Sequence, residues 1–168
     1  MADRHIASGY IYSQAEIPIQ AAGYNYISLF NPVGSNKVGV IAGIIVSHSL
    51  FTSSSVAAPL RGWRTTAASG GTLRTVAANE IAKVQTIYPD PVCEIRTGNP
   101  TCTRTAPLFN SPPPIQDKAN WLHEINLPTG LLPFTIRPGE GIVLRAESGI
   151  GQSADWNMTV VWAEQGRR

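Results

Sequence analysis

The stretch Trp156-Asn157-Met158-Thr159-Val160-Val161-Trp162-Ala163 decides the fold class of this chain. Large apolar side chains stand at positions 156, 158, 160 and 162, and smaller or polar ones alternate with them. Because successive side chains of a β-strand point to opposite faces, this period of two predicts a strand with one buried face. The stretches 132–137 and 142–147 alternate in the same way.

In the rest of the chain, strand-like segments are separated by turns rich in Gly and Pro. Residues 137–141, Arg-Pro-Gly-Glu-Gly, predict a turn, because proline presets φ and glycine accepts the positive φ of a tight reversal. Segment 38–51 is apolar on both faces, which predicts a strand in mid-sheet with both sides covered. Other strands are predicted at 24–30, 60–67, 72–76, 92–97 and 102–109, with one helical turn at 77–84.

Many short strands without alternating helices predict an all-β fold, an antiparallel two-sheet β-sandwich of jelly-roll type. A chain of 168 residues has the length of one such domain. We therefore expect an extended N-terminal arm over residues 1–22 and the sandwich domain over residues 23–168.

The composition predicts a surface with few charges. Charged residues make up 14% of the chain, against roughly 25% in an average soluble domain, and the net charge is +2. Such a surface repels neighbouring proteins weakly, which favours packing against other subunits. Lys and Arg are too dispersed for nucleic-acid binding, and the apolar runs are too short for a secretory signal or a membrane span.

Cys93 and Cys102 are the only cysteines. They flank the turn-forming sequence Thr97-Gly98-Asn99-Pro100, so they could face each other across a hairpin. Two interpretations stay open: reduced, partly buried thiols, as is usual in the cytosol, or a disulfide that forms after release from the cell.

Two stretches do not fit regular elements: residues 1–16 are polar and irregular, and residues 109–121 contain three consecutive prolines. Because proline lacks an N–H group, the second stretch cannot donate a run of ladder hydrogen bonds. Extended segments of this kind often hold neighbouring subunits, although a frayed terminus and a solvated loop share their composition. The candidate contacts to other protein chains are Tyr10, Tyr12, Ile17, Ile19, Phe109, Pro112, Pro113 and Pro114.

No residue pattern points to catalysis or metal binding. His5, His48 and His123 are far apart and lack metal-ligand spacing. No serine lies in a G-x-S-x-G elbow, and carboxylates such as Glu94 and Glu140 occur singly. We therefore expect no enzymatic activity, no cofactor and no metal. The tryptophans are interpreted as core or interface residues rather than as a sugar-binding platform.

The C-terminal third carries a family resemblance. The run from Leu132 to Arg145, together with the closing stretch from Trp156 to Glu164, resembles small jelly-roll virion proteins of tailed phages. The segment 27–32, Ile-Ser-Leu-Phe-Asn-Pro, followed by a long apolar strand, is similar to their first core strands, as is the stretch 83–103. The resemblance covers residues 24–165 and rests on the pattern of strands and turns.

This resemblance implies a non-enzymatic capsid decoration, or cement, protein that is made in the host cytoplasm and lies on the capsid exterior. Such proteins bind the major capsid protein at capsomer junctions, stabilise the shell and commonly form homotrimers, without contacting nucleic acid or membrane. A tail, baseplate or receptor-binding module is the alternative. A cupin-like or glycosidase enzyme on the same architecture would need clustered histidines or paired carboxylates in a pocket.

Overall fold

The computed structural model describes residues 8–18, 20–49, 60–110, 122–125, 134–147 and 155–166. These residues form strands and turns, and none of them is helical. Two six-stranded antiparallel sheets pack against each other. The predicted β-sandwich is therefore confirmed, whereas its assignment to the jelly-roll type stays a prediction.

The first sheet, sheet A, has its longest pairings at its centre. Its strands are β1 (Ser8–Pro18), β3 (Lys37–Ser49), β6 (Ile81–Lys83), β9 (Leu122–Ile125), β10 (Phe134–Ile136) and β12 (Asp155–Gly166). The order across the sheet is β10-β3-β12-β1-β6, and β9 also pairs with β3.

The second sheet, sheet B, has the order β5-β7-β2-β11-β4-β8. Its strands are β2 (Asn25–Asn31), β4 (Leu60–Ser69), β5 (Thr72–Arg74), β7 (Glu94–Thr97), β8 (Thr101–Asn110) and β11 (Glu140–Ala146). The predicted helical turn at 77–84 is wrong: residues 76–79 form a tight turn, and the next residues pair with β1 as β6.

The alternation in β12 fills the space between the sheets as predicted. Its four large apolar side chains are at most 1% exposed, and they pack in one cluster with apolar residues of β2 and β11. These four residues are Trp156, Met158, Val160 and Trp162.

The predicted N-terminal arm is wrong for residues 8–18, because they form β1 between β12 and β6. Tyr10 lies opposite Trp162 with ring centroids 5.4 Å apart, and Tyr12 follows it on the same buried face. The free energy gained by burying two aromatic rings exceeds the cost of placing the polar residues around them in a strand. Residues 1–7 lie outside the described part of the chain.

A bulge changes which face of β3 is buried. β3 lies in mid-sheet, as predicted, but its pairing with β12 shifts by one residue between Ile41 and Gly43. Ala42 is the extra residue and is exposed. Ile41 and Ile44 consequently both face the core, although a strict period of two would place them on opposite faces.

Candidate functional site

Three of the four predicted contact residues that the structure describes are buried. Tyr10, Tyr12 and Ile17 are 0%, 3% and 7% exposed, so their side chains belong to the core. Phe109 is half-buried, and its ring lies over Gly62, where an added Cβ atom would collide with it. Ile19, Pro112, Pro113 and Pro114 lie outside the described residues. The described members of the predicted set therefore do not form a joint docking surface.

Three buried tyrosines, the core tyrosines, direct their hydroxyl groups to defined partners. The hydroxyl of Tyr10 donates to the carbonyl of Pro89 at 2.9 Å, and that of Tyr12 donates to the Gln14 side chain at 2.7 Å. The third is Tyr26, whose hydroxyl accepts a hydrogen bond from the backbone N–H of residue 20. Burial raises the pKa of all three above the ordinary value of 10.0.

Residues 72–94 form a segment, here called the capping segment, that leads from β5 in sheet B to β6 in sheet A and back to β7. Three of the four exposed large apolar side chains of the described residues lie in it: Leu73 at 43%, Val84 at 58% and Ile87 at 81%. The fourth is Val33, which lies in another turn. The capping segment is therefore the described region richest in exposed apolar side chains.

A cleft of about 300 Å³ opens within the capping segment, between residues 73–76 and 90–94. Its volume is at the lower end for small-molecule sites. The charged side chains that line it already have partners: Arg74 binds Glu80, and Asp90 binds Lys83. The third, Glu94, binds an arginine on its own strand. The cleft thus presents a neutral, mixed polar and apolar wall rather than a converging set of free charges.

Charged side chains outside the cleft are also paired with residues of opposite charge. Five ion pairs join residues of opposite charge within the described part of the chain. Partly exposed pairs of this kind add little stability, but each cancels much of the field of its members. The pairs are Arg64–Glu140, Arg74–Glu80, Lys83–Asp90, Arg96–Glu94 and Arg145–Glu147.

One buried carboxylate anchors the capping segment to β12. Glu164 is 2% exposed and accepts hydrogen bonds from the backbone N–H of Val92 at 3.0 Å and of Cys93 at 2.8 Å. The indole N–H of Trp162 lies 3.3 Å from one of its oxygens. Sequence reasoning missed this role. The signal for it was the position of Glu164, which continues the buried series 156, 158, 160 and 162 and therefore points to the core.

The cysteines do not face each other across a hairpin. The turn between β7 and β8 is present, but β7 pairs with β2 and β5, whereas β8 pairs with β4. Both thiols are free, Cys93 in the core and Cys102 half-buried on β8. Burial raises the pKa of both thiols, and the nearby Glu164 raises that of Cys93 further.

A second group of side chains lies on the face of sheet B that points away from the core. Trp63 is flanked by two guanidinium groups, that of Arg61 at 5.4 Å and that of Arg104 at 5.1 Å from its ring centroid. Its indole N–H donates to Glu147 at 2.6 Å, and Nε of Arg145 lies 3.9 Å from the same carboxylate. We call these five residues the arginine–tryptophan cluster. Trp63 is half-buried here, not a core residue.

Within the described ranges, no group of three or more His, Cys, Asp or Glu side chains is placed to hold a metal ion. The same residues contain no helix long and apolar enough to cross a bilayer. Comparison with known proteins finds no matching family model, no matching curated protein and no matching solved structure.

Proposed function

We propose that this chain is a non-enzymatic structural protein of a tailed-phage particle, a decoration protein on the capsid exterior. It binds the major capsid protein at capsomer junctions and associates with copies of itself as a homotrimer. The observation that carries the proposal is a two-layered sandwich with nearly neutralised surface charges that exposes apolar side chains along the capping segment. The resemblance of residues 24–165 to jelly-roll virion proteins supports the same role.

The capping segment suits protein–protein contact because its backbone is fixed before binding. Glu164 holds residues 92 and 93, and Tyr10 holds Pro89, so Ile87 is presented from a segment tied to the core at its C-terminal side. Such preorganisation reduces the conformational entropy that is lost on association. A subunit that binds only the assembled shell stabilises it by mass action.

The copy number per particle tests the proposed location. We expect mass spectrometry of purified particles of the phage that encodes this chain to find it in amounts comparable with the major capsid protein. Electron cryo-microscopy should then show it on the outer shell. A small fraction of that amount, located at the tail, would favour the tail or receptor-binding module, and absence from the particle would refute both.

A pair of matched variants tests the contact surface. Ile87→Ser removes an apolar side chain that is 81% exposed, and Val33→Ser removes one that is 82% exposed in a different turn. Losing a buried isoleucine at an interface costs about 1.5–3 kcal/mol, so Ile87→Ser should weaken capsid binding at least about tenfold. Val33→Ser should bind as the wild type does. Equal effects of the two variants would contradict a contact through the capping segment.

A further inference from the structure

The strands at the margins of the two sheets differ in length. β5, β6 and β10 have three residues each and β9 has four, whereas β8 has ten. Marginal strands are commonly kept short because their unpaired N–H and C=O groups invite pairing with another chain. β8 departs from this rule.

The first half of β8 is accessible. Residues 101 and 103–107 are exposed, and among the described strands β8 pairs with β4 alone. The pairing of β8 with β4 shifts register at three points, one of them between Thr103 and Arg104, and the second half of β8 also contains Pro107. Residues 101–105 contain no proline, and the N–H and C=O groups of alternate residues point away from β4, so alternate residues can offer backbone hydrogen bonds to an added strand.

The arginine–tryptophan cluster places positive charge beside this edge. It contains three arginines and one glutamate. Arg104 belongs to β8 itself and is exposed. Burial and the positive charge of Arg104 lower the pKa of Arg145, whereas the neighbouring Glu147 raises it.

We propose that β8 is a docking edge for an extended, acidic segment of a partner protein, which adds to sheet B as a further strand. The backbone of residues 101–105 would pair with the segment, and a carboxylate of the segment would meet Arg104, the member of the cluster that belongs to β8. The inference rests on the proposed function only in taking the partner to be a virion protein.

A synthetic peptide of alternating Glu and Thr tests the docking edge by isothermal titration calorimetry against the full chain. We expect saturable binding that Arg104→Glu weakens about tenfold or more, and Arg104→Gln weakens less, because a charge-assisted contact is lost or reversed. Arg137→Glu, the same change at an exposed arginine in the β10–β11 turn, should bind within about twofold of the wild type. Thermal unfolding of each variant verifies that it is folded.

Two further probes separate the outcomes. The same peptide carrying N-methyl groups at alternate backbone nitrogens should lose binding, because it cannot complete the strand pairing. Undiminished binding of that peptide, equal losses in Arg104→Glu and Arg137→Glu, or no binding by the wild type would overturn the proposal. Tighter binding of duplex DNA with the same dependence on Arg104 would overturn it in favour of nucleic acid. None of these results affects the copy number on the particle, which tests the proposed function separately.

Discussion

Replacing Glu164 by alanine should unfold the protein at a markedly lower temperature. The substitution removes the acceptor of the Val92 and Cys93 N–H groups, of which the Cys93 contact is buried at 2.8 Å. Hydrogen bonds to a charged acceptor contribute about 1.5–3 kcal/mol each, and stranded buried donors cost about 1–3 kcal/mol each. Since the two contacts share one side chain and are not additive, we expect a loss of about 3–5 kcal/mol.

Differential scanning calorimetry measures this loss. For 168 residues the unfolding entropy is about 0.35 kcal/mol/K, so the expected decrease in Tm is about 9–14 °C. Glu164→Gln keeps the shape and one carbonyl acceptor and should lose about half as much. Glu94→Ala removes a partly exposed acid paired with Arg96 and should cost less than about 1 kcal/mol.

Hydrogen exchange adds a local measurement to the same prediction. The amides of Val92 and Cys93 should exchange faster in Glu164→Ala, because they open to solvent without their acceptor. A Tm within about 2 °C of the wild type, together with unchanged exchange, would show that water replaces the carboxylate at little cost. The anchoring of the capping segment by Glu164 would then be wrong.

Three further outcomes are expected. Because burial raises the pKa of its thiol, Cys93 should resist alkylation in the native protein and react on unfolding; fast labelling of the native state would contradict its burial. Since the native state keeps the core tyrosines protonated longer than the unfolded state does, stability that is present below pH 10 should decrease as pH rises through their raised pKa values. Tyrosinate absorbance should therefore appear together with unfolding. Gly141→Ala should destabilise by about 1–3 kcal/mol, because its Cβ would lie 2.5 Å from the Leu29 carbonyl oxygen. Gly43→Ala meets no atom within 4 Å and should be nearly neutral, so equal Tm values for the two alanine variants would refute the packing account.

The fold class could be predicted because burial in a two-layered sheet leaves a period of two in the sequence. The alternation from Trp156 to Trp162 is the clearest case, and its side chains are buried as expected. A similar signal was present in Tyr10 and Tyr12, but the polar residues around them concealed it. A strand whose outer face is solvated carries only half of the apolar pattern, so β1 resembles an irregular segment when it is considered alone.

Features that depend on which strands become neighbours could not be predicted. The Thr97–Pro100 turn indicated a hairpin, yet the N–H of Asn25 binds the side chain of Asn99, and the two flanking strands join different partners. The burial of Glu164 likewise depends on residues 92 and 93, which are distant in sequence. Local propensity contains no information about such pairings, whereas it does identify turns and alternating strands.

The position of β12 has a consequence for biosynthesis. It lies between β1 and β3 in sheet A but follows both of them in the chain. Until residues 155–166 leave the ribosome, the nascent chain therefore holds two long strands whose shared neighbour does not yet exist. Closure of sheet A is thus a late, non-local event, and folding should be slow and in need of protection from aggregation while translation continues.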